Sequence, residues 1–270
     1  MFFISDSKKI YYRTVGIGKP LVIVHGGLGI DHRYLYAWFL PLSKYFKLVF
    51  VDLPGNGMSA QIKSNDPFSI ERLADTLEVL RKNIIKDKIF LLGHSYGGFV
   101  SAVYAIRNPE TLRKLVVVGG ALDLPSQNNG ALEIASNALP SKSRRVLNEP
   151  VKCDEDFRRF ISHAMPLYFF DMKNVCKFNQ KNKSMYRFQA YKRGEGERYK
   201  LKHYRELYSK IKAPSLILDG KHDIIEGSLS SLKFRKSVKL CEHYVFKKSG
   251  HFPFVEEQAL FLKKVREFLK

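Results

Sequence analysis

One run of residues constrains this chain more than any other. Ile89-Phe90-Leu91-Leu92 is apolar throughout, Gly93-His94-Ser95-Tyr96-Gly97-Gly98 follows at once, and a helical stretch from Phe99 to Arg107 comes next. An apolar strand, a glycine-rich turn and a helix in direct succession form the repeating unit of a mostly parallel sheet. The turn has to be sharp, so it lifts the Ser95 hydroxyl off the sheet edge in a strained backbone conformation. Bulky side chains at Gly93 or Gly97 would strike adjacent elements. The helix that follows aims its N-terminus at the serine, which favours negative charge developing there. G-x-S-x-G in this strand–turn–helix setting makes Ser95 a candidate nucleophile.

The rest of the chain repeats the rhythm. Ile10 to Val15, Leu21 to Val24, Leu48 to Val51 and Leu115 to Val118 read as strands. Arg33 to Tyr45 and Ser69 to Ile85 carry apolar positions at helical spacing. After Leu122 the rhythm stops, and aromatic and basic residues dominate up to about Tyr208. It resumes with strands at Ser215 to Leu218 and His243 to Phe246 and a closing helix from about Val255 to Leu269. The expected architecture is α/β: a mostly parallel sheet flanked by helices, built from residues 1–121 and 209–270, with a helical cap inserted over 122–208. A chain of 270 residues suits one core with one such insertion, or at most two small domains.

Two further segments supply partners for the serine. Asp223 lies just past the strand Ser215 to Leu218, and His251 in Ser249-Gly250-His251-Phe252-Pro253 just past the strand His243 to Phe246. Both fall at C-terminal strand ends, where open α/β sheets build their sites. His251 is the expected base for the serine proton, and Asp223 the acid that fixes its tautomer and stabilises the imidazolium. Asp219, nearer its strand, reads as a loop-holding residue, and Asp123 is a weaker alternative acid. His25-Gly26-Gly27-Leu28-Gly29 follows the strand Leu21 to Val24. Its Gly27 N–H and the N–H of Tyr96 are the expected donors to a tetrahedral oxyanion. His25 precedes that turn and reads as structural, and the other histidines read as surface or packed side chains. Asp52, in Asp52-Leu53-Pro54-Gly55-Asn56-Gly57, is expected to bond the N–H groups of its own loop.

Composition narrows the classes. Three cysteines without CxxC spacing fit a reducing compartment rather than a disulfide framework or a zinc site. No metal and no cofactor is expected. No apolar run approaches the roughly 18 residues of a membrane span, and the opening Met1 to Asp6 turns polar too early for a secretion signal. The chain therefore reads as cytoplasmic. The formal charge of +20 comes without any nucleic-acid-binding signature, so it is read as a lysine-rich solvated surface. Between Ser141 and Lys212, 19 Lys and Arg face 8 Asp and Glu, which concentrates much of the excess on or beside the cap.

Taken in order, these segments resemble the α/β-hydrolase superfamily over nearly the whole chain. Within it, His25-Gly-Gly-Leu-Gly-Ile-Asp-His-Arg-Tyr-Leu35 is similar to the HGGPG segment of proline iminopeptidases and the H-x-Y-L that follows it. The resemblance implies a serine hydrolase that cleaves a small ester or amide through an acyl-enzyme. Narrower still, it implies an aminopeptidase that releases an N-terminal residue. The substrate would be a small molecule or short peptide. Leu28 stands where that family usually has proline. The family also tends to place an acidic residue directly after the catalytic Asp to hold the substrate's amino group, whereas here that position is Ile224 and the nearest carboxylate is Glu226. Cap candidates for the same task are Glu195 and Glu197 in Arg193-Gly-Glu-Gly-Glu-Arg198, although the flanking arginines favour reading them as a solvated, self-paired loop. Serine at the elbow argues against dehalogenase-type members, which need a carboxylate there. A non-catalytic binding protein on the same scaffold is disfavoured by the complete set of reactive residues. Oligomeric state is not legible from the sequence.

Overall fold

The computed structural model describes residues 1–123 and 129–270. Eight strands, β1 (Phe2–Ser5), β2 (Lys8–Val15), β3 (Pro20–Val24), β4 (Lys47–Val51), β5 (Ile89–His94), β6 (Leu112–Val118), β7 (Ser215–Gly220) and β8 (Cys241–Phe246), make one sheet. Their spatial order is β1-β2-β4-β3-β5-β6-β7-β8. β2 runs antiparallel to β1 and β4, and every other neighbouring pair is parallel. β3, β5 and β7 are buried at every position, as strands covered on both faces must be.

Three helices, α1 (Arg33–Phe39), α2 (Ile70–Leu80) and α3 (Tyr96–Arg107), belong to the first half of the chain. Among the described residues six short helices lie between β6 and β7: α4 (Asn129–Asn137), α5 (Ser141–Leu147), α6 (Asp154–Ala164), α7 (Lys173–Lys181), α8 (Phe188–Glu195) and α9 (Leu201–Tyr204). The chain closes with α10 (Gly227–Ser237), α11 (Pro253–Glu256) and α12 (Gln258–Leu269). The period-two alternation of the strands sorts the core into two clusters. Val22, Val24, Val49, Val51, Leu91 and Val117 pack with α2 and α3, including Leu73, Leu77, Phe99 and Val103. Leu21, Ile23, Phe50, Leu92 and Val116 pack on the other face with Trp38 and Phe39 of α1 and Phe261 and Val265 of α12.

The helix expected over Arg33 to Tyr45 is α1 continued by a 3-10 turn, Leu40–Lys44. That over Ser69 to Ile85 is α2, capped by the Ser69 side chain accepting from the Arg72 N–H at 3.3 Å and continued by a π turn. The closing helix differs from expectation, because it breaks at Glu257, where φ is −124° and ψ 47°. The Glu257 carboxylate accepts from the Lys248 N–H (2.9 Å) and the Ser249 hydroxyl (2.8 Å), while Glu256 accepts from the Gly250 N–H (2.6 Å). This double anchor ties the loop carrying His251 to the break. The strand β1 was not expected; Phe3 and Ser5 face inward and Phe2 and Ile4 outward.

The helices between β6 and β7 lie over the C-terminal strand ends. The Arg187 N–H donates to the Gly29 carbonyl (2.8 Å), the Met185 N–H to Asp31 (2.9 Å) and the His251 N–H to the Tyr168 carbonyl (2.8 Å). Among the described residues no helix is long and apolar enough to cross a membrane.

Candidate active site

Ser95 caps the end of β5 with φ 54°, a region that residues bearing a Cβ rarely enter and that costs about 1–3 kcal/mol. Backbone bonds hold it there. Its N–H donates to the Val118 carbonyl (2.9 Å), and its carbonyl accepts from the N–H groups of Gly98 (2.8 Å) and Ala121 (3.1 Å). Sterics close the rest. A methyl group on Gly26 would lie 2.7 Å from the Ser95 Cβ, one on Gly93 would strike the Gly97 carbonyl, and one on Gly97 would strike the His25 carbonyl. The turn therefore requires the glycines on both sides of the serine.

His251 sits past β8 and is 1% exposed. Its Nδ1 is 2.8 Å from the Asp223 Oδ2. The other oxygen of Asp223 accepts from the N–H groups of Ile225 (2.9 Å) and Glu226 (3.2 Å), so the carboxylate cannot swing away from the ring without losing both. Burial alone would depress the imidazole's basicity. The charge and hydrogen bond of Asp223 outweigh that, assisted by the charges of Glu226 and Asp219, and raise the His251 pKa above 6.5. Asp219 is engaged elsewhere, 2.9 Å from the His243 Nε2, and Asp123 is 3.0 Å from Arg205. Of these three carboxylates, only Asp223 bonds His251. Gly119 lies beneath the pair with φ 49°, and a methyl group there would come within 3.2 Å of the His251 Nδ1.

A relay that the sequence does not reveal joins the two halves of the site. The Gly26 N–H donates to the Tyr34 hydroxyl (2.7 Å), which donates to the His94 Nδ1 (2.7 Å). The His94 Nε2–H donates to the His251 carbonyl (3.1 Å). Burial drops the His94 pKa well below 6.5, and the neutral ring suits this one-donor, one-acceptor role. His25 is structural as expected, its Nε2 accepting from the Leu53 N–H at 3.1 Å. Asp52 accepts from the Met58 N–H (3.0 Å), the His32 N–H (3.2 Å) and the His32 Nδ1 (2.6 Å). Asp31, His32 and Asp52 cluster closely enough to suggest a metal site. The Asp31 oxygens, however, already accept from the Arg33 side chain and the Met185 N–H, so the group reads as a structural knot.

Ser95 and His251 open into a cavity of about 880 Å³ that Gly27 and Tyr96 also line. Gly27 has φ 28°, and a methyl group added to it would meet nothing nearer than Ile30 at 3.7 Å, so there is room beside its Cα. The Tyr96 N–H stands in the first turn of α3, where a helix supplies no acceptor of its own. The far wall comes from the helices between β6 and β7, including Phe157, Ile161, Tyr168, Phe178 and Tyr191. Leu28, in the position where proline was expected, packs against Gly194 of α8; a methyl group there would come within 2.5 Å of it.

The three sequence-marked glutamates part company. Glu226 lines the cavity at 4% exposure and bonds the Arg198 Nη2 at 3.1 and 3.3 Å. Burial raises its pKa against the opposing pull of Arg198 and His251. Glu195 also lines the cavity, 4.0 Å from the same guanidinium. Glu197 does not line it: its carboxylate accepts from the Ile70 N–H (3.0 Å) and pairs with Lys200 (2.9 Å). Arg193 is drawn off to the carbonyls of Lys63, Ser64 and Asp66. Arg198 is the residue that sequence reading undervalued. Its partner Glu226 is 28 positions away, beyond the reach of any local pattern.

A doubly wound sheet with a strained serine turn at the head of α3, and a buried His–Asp pair whose histidine lines the same cavity, is an arrangement suited to hydrolysis. The chain belongs to the alpha/beta hydrolase fold family, whose model matches residues 19–258. Its relatives include a proline iminopeptidase of Saccharolobus solfataricus, 28% identical, with 96% of this chain and 87% of that protein covered. They also include the proline iminopeptidase PfmaB of Pestalotiopsis fici, 27% identical, with 98% and 97% covered. Among solved structures, an alpha/beta fold family hydrolase from Bacillus anthracis superposes with a TM-score of 0.80 at 22% identity, covering 99% of this chain and 98% of that one.

Proposed function

We propose that this enzyme hydrolyses a small carboxylic ester or amide through a covalent acyl-enzyme on Ser95. His251 is the general base and acid, Asp223 orients it, and the N–H groups of Gly27 and Tyr96 receive the oxyanion. The observation that carries the reading is the meeting of a φ 54° serine with the Asp223-bonded His251 in one cavity. As the Ser95 Oγ bonds to the substrate carbonyl carbon, its proton passes to the His251 Nε2, and Asp223 stabilises the imidazolium. The tetrahedral oxyanion collapses, the leaving alcohol or amine takes the proton from His251, and the acyl group stays on Ser95. Water repeats the sequence from the other side and releases the acid.

The segment 122–208 serves in this reading as a cap over a core of residues 1–121 and 209–270, and its side chains set the substrate. A second reading, release of an N-terminal residue from a short peptide, is favoured by one observation. Glu195 and Glu226 together place two carboxylates against a single guanidinium in the cavity wall, leaving one negative charge for an ammonium.

A fluorophosphonate probe is expected to label the wild type once, on Ser95, and not to label Ser95→Ala. Labelling at another residue, or none, would overturn the mechanism. Comparing 4-nitrophenyl butyrate with a prolyl arylamide separates the two substrate readings.

A further inference from the structure

Eight arginines lie between residues 141 and 212, and six have an acceptor. Arg158 pairs with Glu155, Arg159 with Glu149, Arg187 with Asp154, Arg198 with Glu226 and Arg205 with Asp123. Arg193 donates to three backbone carbonyls. Of these eight, and among the described residues, the side chains of Arg144 and Arg145 of α5 have no hydrogen-bond or ion-pair acceptor, and both line the cavity that holds Ser95. Both are exposed, so they stand where the cavity meets solvent. Polar neighbours in the lining, Ser141 on the same helix and Asn137 and Asn148 beside it, add donors of the kind that surround a bound oxyanion. The carboxylates lining the cavity are Glu133, Glu195 and Glu226, and the last two share Arg198 rather than reaching α5. Two guanidinium groups against Glu133 leave this part of the wall with an excess positive charge. A solvated surface does not account for the coincidence that the two unmatched arginines of the segment 141–212 are the two on α5 and both line the cavity.

We infer that the substrate carries an anionic group, a carboxylate or a comparable oxyanion, at the end remote from the cleaved bond, and that Arg144 and Arg145 hold it at the cavity mouth. The inference rests on the proposed Ser95 hydrolysis and names the substrate class for it. Guanidinium groups bind carboxylates through two parallel N–H bonds, so the pair would orient as well as attract.

The anion can sit on the acyl part or on the leaving part, and two matched ester pairs distinguish these. One compares mono-(4-nitrophenyl) glutarate with 4-nitrophenyl pentanoate; the other compares 4-butyryloxybenzoate with 4-butyryloxybenzamide. In at least one pair, the ratio of kcat/KM for the anionic over the neutral ester is expected to drop about tenfold in Arg144→Gln/Arg145→Gln. Arg158→Gln, outside the cavity, is expected to leave the ratio unchanged. Salt is expected to depress the anionic substrate more steeply than the neutral one in the wild type, with parallel curves in the double variant. Equal ratios in wild type and double variant for both pairs, or parallel salt curves in the wild type, would overturn the inference. Turnover of the neutral esters, lost in Ser95→Ala, reports separately on the hydrolytic reading. Circular dichroism confirms that the double variant is folded.

Discussion

The sheet side and the cap side of the cavity are built by different means. On the sheet side, backbone hydrogen bonds and glycines fix the serine turn: Ser95 is clamped by Val118, Gly98 and Ala121, and β5 beneath it is buried at all six positions. On the cap side, short amphipathic helices bury little of themselves, α7 only Phe178 and α6 only Phe157 and Ala164, and their outer faces carry ion pairs between long side chains. Backbone geometry tolerates no substitution at Gly26 or Gly93. Surface ion pairs each contribute about 0–1 kcal/mol and are exchanged with little penalty. In the proposed mechanism the chemistry is thus held by what a sequence can change least, and recognition by what it can change most.

The comparison breaks first if the sheet side is not the seat of chemistry. Ser95→Ala should cost about 10⁶ in kcat with an unchanged thermal midpoint, since the hydroxyl contributes bond-making and little packing. Asp223→Asn should cost about 10⁴ in kcat, whereas Asp219→Asn, bonded to His243 instead, should cost less than about tenfold; steady-state kinetics on one ester ranks them, and a reversed order would move the acid to Asp219. On the cap side, Arg198→Met should destabilise the fold by about 3 kcal/mol in denaturant titration, because it strands Glu226, only 4% exposed, without its cation. Its kcat on a neutral ester should change far less than for either sheet-side variant. The smallest effect concerns pH. His251 must be neutral to accept a proton, and its pKa is raised, so kcat/KM should fall with decreasing pH through a limb lying above 6.5. A limb below 6.5 would mean that burial, not Asp223, dominates the ring.

The same division explains what was legible. Strands buried on both faces are continuous apolar runs, so β3, β4, β5 and β7 stand out, and Ser95 and Asp223 could be marked because each follows such a run, whereas His251 follows the half-exposed β8 and was marked by its Ser-Gly-His-Phe-Pro setting. β1 could not, because Phe2 and Ile4 are apolar yet point outward, which erases the alternation. The break at Glu257 depends on carboxylate bonds to Lys248 and Ser249 that no periodicity encodes. In the cap, Glu195 and Glu197 look equivalent in sequence, but the turn after α8 points one into the cavity and the other at the start of α2. Pairing of Arg198 with Glu226 is a tertiary event between two loops, visible only once both are folded.

The relay from Gly26 through Tyr34 and His94 to the His251 carbonyl makes two loops, some 220 residues apart in the chain, open as one. Neither loop can lift away without stripping a buried imidazole of a partner, so a local fluctuation of one has the free energy of disrupting both. In amide hydrogen exchange, the Gly26 N–H and the Gly250 N–H, which bonds Glu256 in the His251 loop, should therefore share a single opening event and slow protection, unlike the solvent-facing cap helices. Tyr34→Phe removes the middle link, and the two amides should then exchange at separate rates.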